Sequence, residues 1–340
     1  MDAAPPEIVR RKDEHLDLAL GQQGATPGGG FQRVRFAHQA LPDLALEQVS
    51  LETTFFGRRL PAPFLVSSMT GGPARGGEIN RNLALACEAL GLPLAVGSQR
   101  VALEDAGYAG LSDLRALAPT ILLFGNIGGA QLAKGWGVDE ARRAVEMLGA
   151  DGLFIHLNPL QEAVQDGGDT DWRGVLRGIT TLARDLGAPV LVKEVGFGLS
   201  AEAARRLADA GVAALDAAGA GGTDWAAIEA GRSPEAATRD LGVAFAGWGL
   251  TTAESLVELR AACPDLPLIG SGGVRDGVDA AKAIRLGADL VGQAGPVLRA
   301  AMTSTEAVLE HFAGLTRQLR IACFCTGSAD LAALRTARLL

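Results

Sequence analysis

His156, Asn158, Gln161 and Glu162 crowd into one short run, His156-Leu157-Asn158-Pro159-Leu160-Gln161-Glu162. They combine an imidazole, two amides and a carboxylate. Such a set suits a hydrated Mg²⁺ and an anionic ligand: the carboxylate takes the cation, and the amides donate to oxygen atoms. The run follows Gly152-Leu153-Phe154-Ile155, an apolar stretch that reads as a buried strand. In parallel α/β folds the C-terminal end of a strand is where chemistry collects. A polar loop after a core strand would look the same, so the reading rests on what other strand ends carry.

Three glycine patches supply the next clue. Gly219-Ala220-Gly221-Gly222-Thr223, Ser271-Gly272-Gly273-Val274-Arg275 and Ala294-Gly295-Pro296 each follow an apolar run. Glycines let backbone N–H groups converge, a helix N-terminus adds partial positive charge, and Arg275 adds a full one. Together they point to a phosphate-bearing cofactor, although tight turns between strand and helix would also use glycine. Ser67-Ser68-Met69-Thr70, Ser98, Asn126 and Lys193 stand at other strand ends and offer the polar edge and the cation that an isoalloxazine ring requires. Lys193 also reads as the partner of Asp216 or Glu194 in a buried ion pair. No GxGxxG fingerprint with a downstream acid is present, so tightly bound NAD is not indicated. A second basic group, Arg10-Arg11-Lys12 with His15, opens the chain's first helical stretch. With Arg100 it is placed to neutralise a diphosphate, or else it is a solvated charged face.

The elements that must position these residues follow from the apolar pattern. Strands are expected at 64–67, 93–96, 121–124, 153–156, 190–193, 212–216, 267–270 and 289–292, with helical segments between them such as 201–210, 253–262 and 278–286. Gly91, Gly149, Gly187, Gly211 and Gly287 close helices. Eight successive βα units predict an α/β fold, a (β/α)8 TIM barrel, with a doubly wound sheet as the alternative. An amphipathic helix over 7–21 and a hairpin over 45–60, capping the barrel's N-terminal end, precede it. The expected organisation is a single domain over 1–340: extension and cap at 1–60, barrel at 61–300, C-terminal helices at 301–340. Residues 223–250 form a long insertion, read as a lid or a partner contact.

Composition narrows the class. The chain has 340 residues, 48% hydrophobic, with a formal net charge of -8. That balance argues against a general nucleic-acid or anionic-membrane surface. No apolar run is long enough to span a bilayer and no signal-peptide core is evident, so a cytoplasmic protein is expected. The cysteines, Cys87, Cys263, Cys323 and Cys325, read as reduced thiols; the Cys323/Cys325 spacing is a weak metal or redox hint. Only four of the 31 basic residues are lysine, which draws attention to Lys12 and Lys193 over Lys134 and Lys282.

Taken in order, RKDEH at 11–15, SSMTGG at 67–72, GSQR at 97–100, GN at 125–126, HLNPLQE at 156–162, VKEVG at 192–196, GGTDW at 221–225, WGLTT at 248–252, SGGVR at 271–275 and AG at 294–295 resemble the type II, FMN-dependent isopentenyl diphosphate isomerase family over nearly the whole length. The resemblance implies an FMN-binding barrel that interconverts isopentenyl and dimethylallyl diphosphate in isoprenoid biosynthesis. It implies substrate contacts at Arg11, Lys12, Ser98, Gln99, Arg100 and Gln161, and a Mg²⁺ ligand at Glu162. It implies FMN contacts at Ser68, Met69, Thr70, Ser98, Asn126, Lys193, Thr223, Gly272, Gly273, Arg275, Ala294 and Gly295. His156 and Asn158 would orient the diphosphate, with His15 beside them. Gln161, Lys193 and His156 are the catalytic candidates. The family view adds NADPH or NADH as an external reductant and a homotetramer or homo-octamer, with the 225–250 segment as a contact. Ala218 departs from the pattern, since many members carry serine there. Two rivals stand beside this reading: a flavin oxidoreductase acting on a 2-hydroxy acid, and a non-catalytic flavoprotein.

Overall fold

The computed structural model describes residues 7–22, 28–68, 75–104, 111 and 113–340; for 7–13 it describes the backbone alone. A helix, Glu7–Gly21, comes first. Strands β1 (Thr53–Phe55) and β2 (Arg58–Leu60) form an antiparallel hairpin. Its two-residue turn has positive φ at both Phe56 (45) and Gly57 (73), the left-handed pair that matches strand twist. The hairpin starts later than the expected residue 45 because Leu46–Gln48 is a 3-10 turn.

The eight barrel strands are β3 (Phe64–Val66), β4 (Leu94–Ala95), β5 (Leu123–Gly128), β6 (Gly152–His156), β7 (Val190–Lys193), β8 (Ala214–Asp216), β9 (Leu268–Ser271) and β10 (Leu290–Gln293). They close in the order β10-β3-β4-β5-β6-β7-β8-β9, every barrel pairing parallel. The doubly wound alternative is therefore excluded. Each strand matches an expected apolar run. β5 is the exception in extent: it reaches Gly128, pairing with His156, so Asn126 sits within the strand and not in a loop after it.

Inside the barrel, Leu65, Ala95, Phe124, Phe154, Leu191, Ala214, Ile269 and Leu290 fill the lower layers. Phe55 and Leu60 of the hairpin join that cluster and plug the N-terminal end. Phe124 packs edge-on against Phe154 at a 5.6 Å centroid distance and against Phe55 at 6.5 Å. Burying each such ring contributes roughly 2–3 kcal/mol, which makes the lower half a rigid base. Two arginine clamps tighten that end. Arg115 reaches Gly149 O and Asp151, while Asp151 also accepts from Leu123 N. Arg260 reaches Gly287 O and Asp289, while Asp289 accepts from Leu268 N. The same arrangement thus recurs half a barrel apart.

The insertion over 223–250 folds as two helices, Trp225–Arg232, capped by Asp224 Oδ1 on Ala227 N, and Ala236–Ala244. The C-terminal segment is a 21-residue helix, Thr305–Cys325, laid across the helices Arg75–Leu90 and Gly277–Arg285, followed by Leu331–Thr336. All four cysteines are free thiols. Burial pushes the Cys87 thiol up and raises Cys323 to about 12, so neither is a ready thiolate. No helix among the described residues is long and apolar enough to cross a membrane.

Candidate active site

All eight strands deliver residues to one cavity of about 510 Å³ at the barrel's C-terminal end. Its wall includes Ser67 and Ser68 after β3, Ser98 and Arg100 after β4, Asn126 on β5, and His156, Asn158, Gln161 and Glu162 at and after β6. Lys193 on β7, Thr223 after β8, Gly272, Gly273 and Arg275 after β9, and Ala294 and Gly295 after β10 complete it. The helix Glu7–Gly21 lies over the mouth and contributes His15, Leu16 and Ala19. Met69 and Thr70 lie outside the described residues, as do the side chains of Arg11 and Lys12.

The β6 end is tightly wired. The short helix Pro159–Val164 starts right after Asn158, so its first turn aims Gln161 and Glu162 back at the strand end. Asn158 Nδ2 donates to Gln161 Oε1 at 3.1 Å and to Glu162 Oε1 at 2.9 Å. Glu162 Oε2 accepts from Asp169 N at 2.8 Å. Asn158 is buried, and its Oδ1 has no partner among the described residues. A buried amide oxygen without a donor costs roughly 1–3 kcal/mol, so this atom marks a place for a ligand donor or a cation.

His156 shares a 2.7 Å hydrogen bond between Nδ1 and Asn126 Oδ1. With that oxygen accepting, Nδ1 carries the proton and Nε2 is left as an acceptor. Burial, reinforced by the nearby Lys193 ammonium, pushes the imidazole down to about 3, so it is neutral near pH 7.

Lys193 is buried at the level of Asp216 in the β7–β8 register, and its Nζ donates to Glu194 O at 2.6 Å. Burial lowers its ammonium below the usual lysine range, opposed by the charges of Asp216 and Glu194. The expected ion-pair alternative is only partly met. Glu194 turns its carboxylate to the backbone N–H groups of Val195, Gly196 and Phe197, and Asp216 accepts from Ser271 Oγ and Ala218 N. Ser67 Oγ and Ser68 Oγ, across the cavity, are buried without partners.

The phosphate-type cradle is made of backbone. Gly221, Gly272 and Gly273 have φ of 115, 98 and 68, which only glycine adopts at low cost. A Cβ at Gly222 would lie 2.7 Å from Gly273 N, and one at Gly272 would strike Gly219 O. Side chains are excluded, and the N-terminus of the helix Gly295–Thr303 opens on the same side. A flavin phosphate with its ring toward Lys193 and the unpartnered serines fits these residues. Among the described residues no cluster of three or more His, Cys, Asp or Glu could hold a metal. Glu162 with Asn158 Oδ1 still suits Mg²⁺, which keeps waters and substrate oxygens in its shell.

One expected substrate contact is displaced. Gln99 is fully buried behind the wall, its amide spent on Asn126 N at 2.8 Å and Ala144 O at 2.9 Å. It braces Asn126 and does not reach the cavity. Other residues were not foreseen. Glu229, on the helix Trp225–Arg232, accepts from Gln161 Nε2 at 2.9 Å and from Arg232 at 2.8 Å, and His15 Nε2 stands 2.9 Å from its Oε1. Burial opposes its charge, yet His15, Gln161 and Arg232 together hold the Glu229 carboxyl at about 2. Trp225 packs edge-on against His15 at 5.2 Å. Of this stretch, expected to be a lid or a partner contact, Thr223 and Trp225 line the cavity. Gln131 and Gln293 also line the cavity. Of the lysines passed over, Lys134 pairs with Asp169 at 2.5 Å and Lys282 donates to Phe31 O at 3.0 Å.

A closed barrel with a glycine cradle and a buried lysine is the architecture of FMN enzymes, and the FMN-dependent dehydrogenase family matches residues 160–340. A solved mandelate oxidase variant carrying an FMN adduct superposes with a TM-score of 0.66 at 20% identity, covering 99% of this chain and 96% of that one. A lactate oxidase of Pediococcus acidilactici gives 0.64 at 19%, covering 100% and 96%. At such identity these two speak for the fold alone. Isopentenyl-diphosphate delta-isomerases are far nearer in sequence. The protein of Stutzerimonas stutzeri is 63% identical over 98% of this chain and 97% of its own length, and that of Xanthobacter autotrophicus is 63% identical over 96% of each. The chain belongs to the isopentenyl-diphosphate delta-isomerase family, on the FMN-dependent barrel.

Proposed function

We propose that this chain interconverts isopentenyl diphosphate and dimethylallyl diphosphate in isoprenoid biosynthesis, using reduced FMN and Mg²⁺. The observation that carries this reading is the division of one cavity into two unlike ends. Glycine turns, Lys193 and the unpartnered Ser67 and Ser68 form one; Asn158, Gln161 and Glu162 form the other.

The reaction moves a double bond by adding one proton and removing another, with no net change in electrons. Protonating an unactivated alkene builds tertiary carbocation character, which requires a dry, electron-rich surrounding. Reduced FMN supplies that electron-rich face and a proton-bearing ring nitrogen when bound. Ser68, Ser98, Asn126, Lys193 and Thr223 hold the ring and chain of the cofactor, with Met69 and Thr70 assigned there by family pattern. Gly272, Gly273, Arg275, Ala294 and Gly295 hold its phosphate. Arg11, Lys12, His15, Arg100, His156 and Asn158 orient the diphosphate, whose charge Glu162 helps offset by holding Mg²⁺. Gln161, its amide oriented by Asn158 and Glu229, positions the allylic carbons. Leu16 and Ala19 keep water from the mouth. Gln99 passes from substrate contact to support of Asn126.

In this proposal NADPH or NADH activates the flavin and is not consumed in step with product. The chain acts as one domain over 1–340, in the cytoplasm, as a homotetramer or homo-octamer. Oxidation of a 2-hydroxy acid is disfavoured by His156: a base held at about 3 is a poor acceptor for an alcohol proton. The test is an FMN titration of the purified chain followed by an isomerase assay with and without Mg²⁺. Stoichiometric flavin binding with Mg²⁺-dependent isomerisation supports the reading; a chain that binds no flavin refutes it.

A further inference from the structure

The β8 and β9 glycine turns do not stand alone. Gln22, just past the first helix, pairs its side-chain amide with the backbone of Asp224: Nε2 donates to Asp224 O at 3.1 Å and Oε1 accepts from Asp224 N at 2.9 Å. Gly28, Gly29 and Gly30 are buried against the outer side of the same turns. Gly29 N donates to Gly273 O at 3.3 Å, and Gly29 O accepts from Ala253 N at 2.9 Å. The approach is backbone on backbone. A Cβ on Gly221 would strike Gly28 O, one on Gly273 would strike Gly29 N, and one on Gly29 would lie 2.6 Å from Gly272 O. A Cβ on Gly28 would come within 2.8 Å of the Arg275 guanidinium.

We infer that Gln22 and Gly28–Gly30 are positioning residues of the phosphate cradle: Gly28–Gly30 press on the β8 and β9 turns from behind the cavity wall, Gln22 ties the end of the β8 turn from the cavity rim, and together they set the spacing at which the N–H groups of the turns converge. This rests on the proposed FMN site. The physical ground is the choice of residue. Glycine costs roughly 0.5–1 kcal/mol of chain entropy where alanine would serve, and three in a row bury little apolar surface. Phe31, also buried, is the segment's apolar anchor, and Lys282 Nζ holds its carbonyl at 3.0 Å. Gly28–Gly30 are therefore placed for close approach, and what they approach are the turns that face the phosphate position.

The test uses the full chain freed of flavin. Gly29 is not at positive φ, so Gly29→Ala adds no strained φ; its Cβ would lie 2.6 Å from Gly272 O and 2.8 Å from the Phe31 ring, which presses the segment off the β9 turn. FMN affinity is expected to fall at least about tenfold, the equivalent of 1.4 kcal/mol, while riboflavin, which lacks the phosphate, binds as it does to the parent chain. Gln22→Ala changes affinity in the same direction by less. In the flavin-free protein, amides at 219–223 and 271–275 exchange faster in Gly29→Ala, and those at 152–156 do not. Equal losses for FMN and riboflavin, unchanged FMN affinity in both variants, or unchanged exchange at the two turns each overturn the inference. A parent chain that binds neither flavin refutes the proposed function, and the exchange rates then decide the clasp alone.

Discussion

Gln161 donates Nε2–H to Glu229 while its Oε1 accepts from Asn158. The two bonds fix which end of the amide faces which way, and they join the β6 end to the insertion after β8. His15, from the helix over the mouth, meets the same carboxylate. Closure of that helix and orientation of Gln161 thus share one acceptor. Glu229→Gln keeps the shape and removes the charge. Loss of a hydrogen bond to a charged group is worth about 1.5–3 kcal/mol, so kcat is expected to fall roughly ten- to hundredfold with FMN affinity unchanged. Steady-state kinetics beside a flavin titration checks this; unaltered kcat contradicts it.

His156 and Glu229 lose stability in acid, while Glu194, whose carboxyl burial raises to about 7, gains it as pH falls toward 4.5. His156 is held at about 3 against an ordinary 6.5, and Glu229 at about 2 against 4.5. For these two the unfolded chain binds the proton first, so the stability they contribute is full above pH 6.5 and declines as pH falls. His156 acts between 6.5 and about 3, and Glu229 adds its loss between 4.5 and about 2. From pH 7 to pH 5 the urea midpoint of His156→Gln is expected to shift upward relative to that of the parent chain, because the variant lacks the loss due to the imidazole. Parallel slopes for the two proteins contradict the assignment.

Glu162 is the proposed metal ligand. Glu162→Gln keeps the shape and one acceptor oxygen, enough for either Asp169 N or Asn158 Nδ2 and not for both, and it removes the anionic donor. Activity should fall by about two orders of magnitude or more, since one missing charge-paired contact already costs roughly 2.7–4 kcal/mol. The half-saturating Mg²⁺ concentration should rise. Wild-type Mg²⁺ dependence in the variant assigns the carboxylate to structure alone.

The repeated clamps predict matched stability effects. Asp151→Asn and Asp289→Asn each leave a half-buried arginine facing a weaker acceptor. Each is expected to cost about 2 kcal/mol, below the full buried-pair range because both partners keep some solvent. Asp289 also meets Arg335 at 2.9 Å, so its loss should be the larger. Chemical denaturation measures both; a change under about 0.5 kcal/mol in each contradicts the account.

The barrel was legible because eight apolar runs, each closed by a polar or glycine-rich turn, repeat with helices between them, and that rhythm has few folded solutions. Residues at strand ends were legible for the same reason. Direction was not: Gln99 and Ser98 are neighbours, yet one points into the wall and the other lines the cavity. Glu229 escaped notice because it sits in an Ala-rich helix, and its contacts with Gln161 and His15 come from residues 68 and 214 positions away in sequence. Nothing local shows that Gly221 and Gly273 will lie against Gly28 and Gly29.

The central claim is redox-neutral isomerisation in a cavity shared by a flavin and a metal-bound diphosphate. The most direct measurement is product formed per NADPH consumed, without oxygen, on the FMN-loaded chain with Mg²⁺ and isopentenyl diphosphate. Many molecules of dimethylallyl diphosphate per NADPH, and none while the flavin stays oxidised, are expected. One NADPH spent per product, or equal turnover with oxidised flavin, would contradict it.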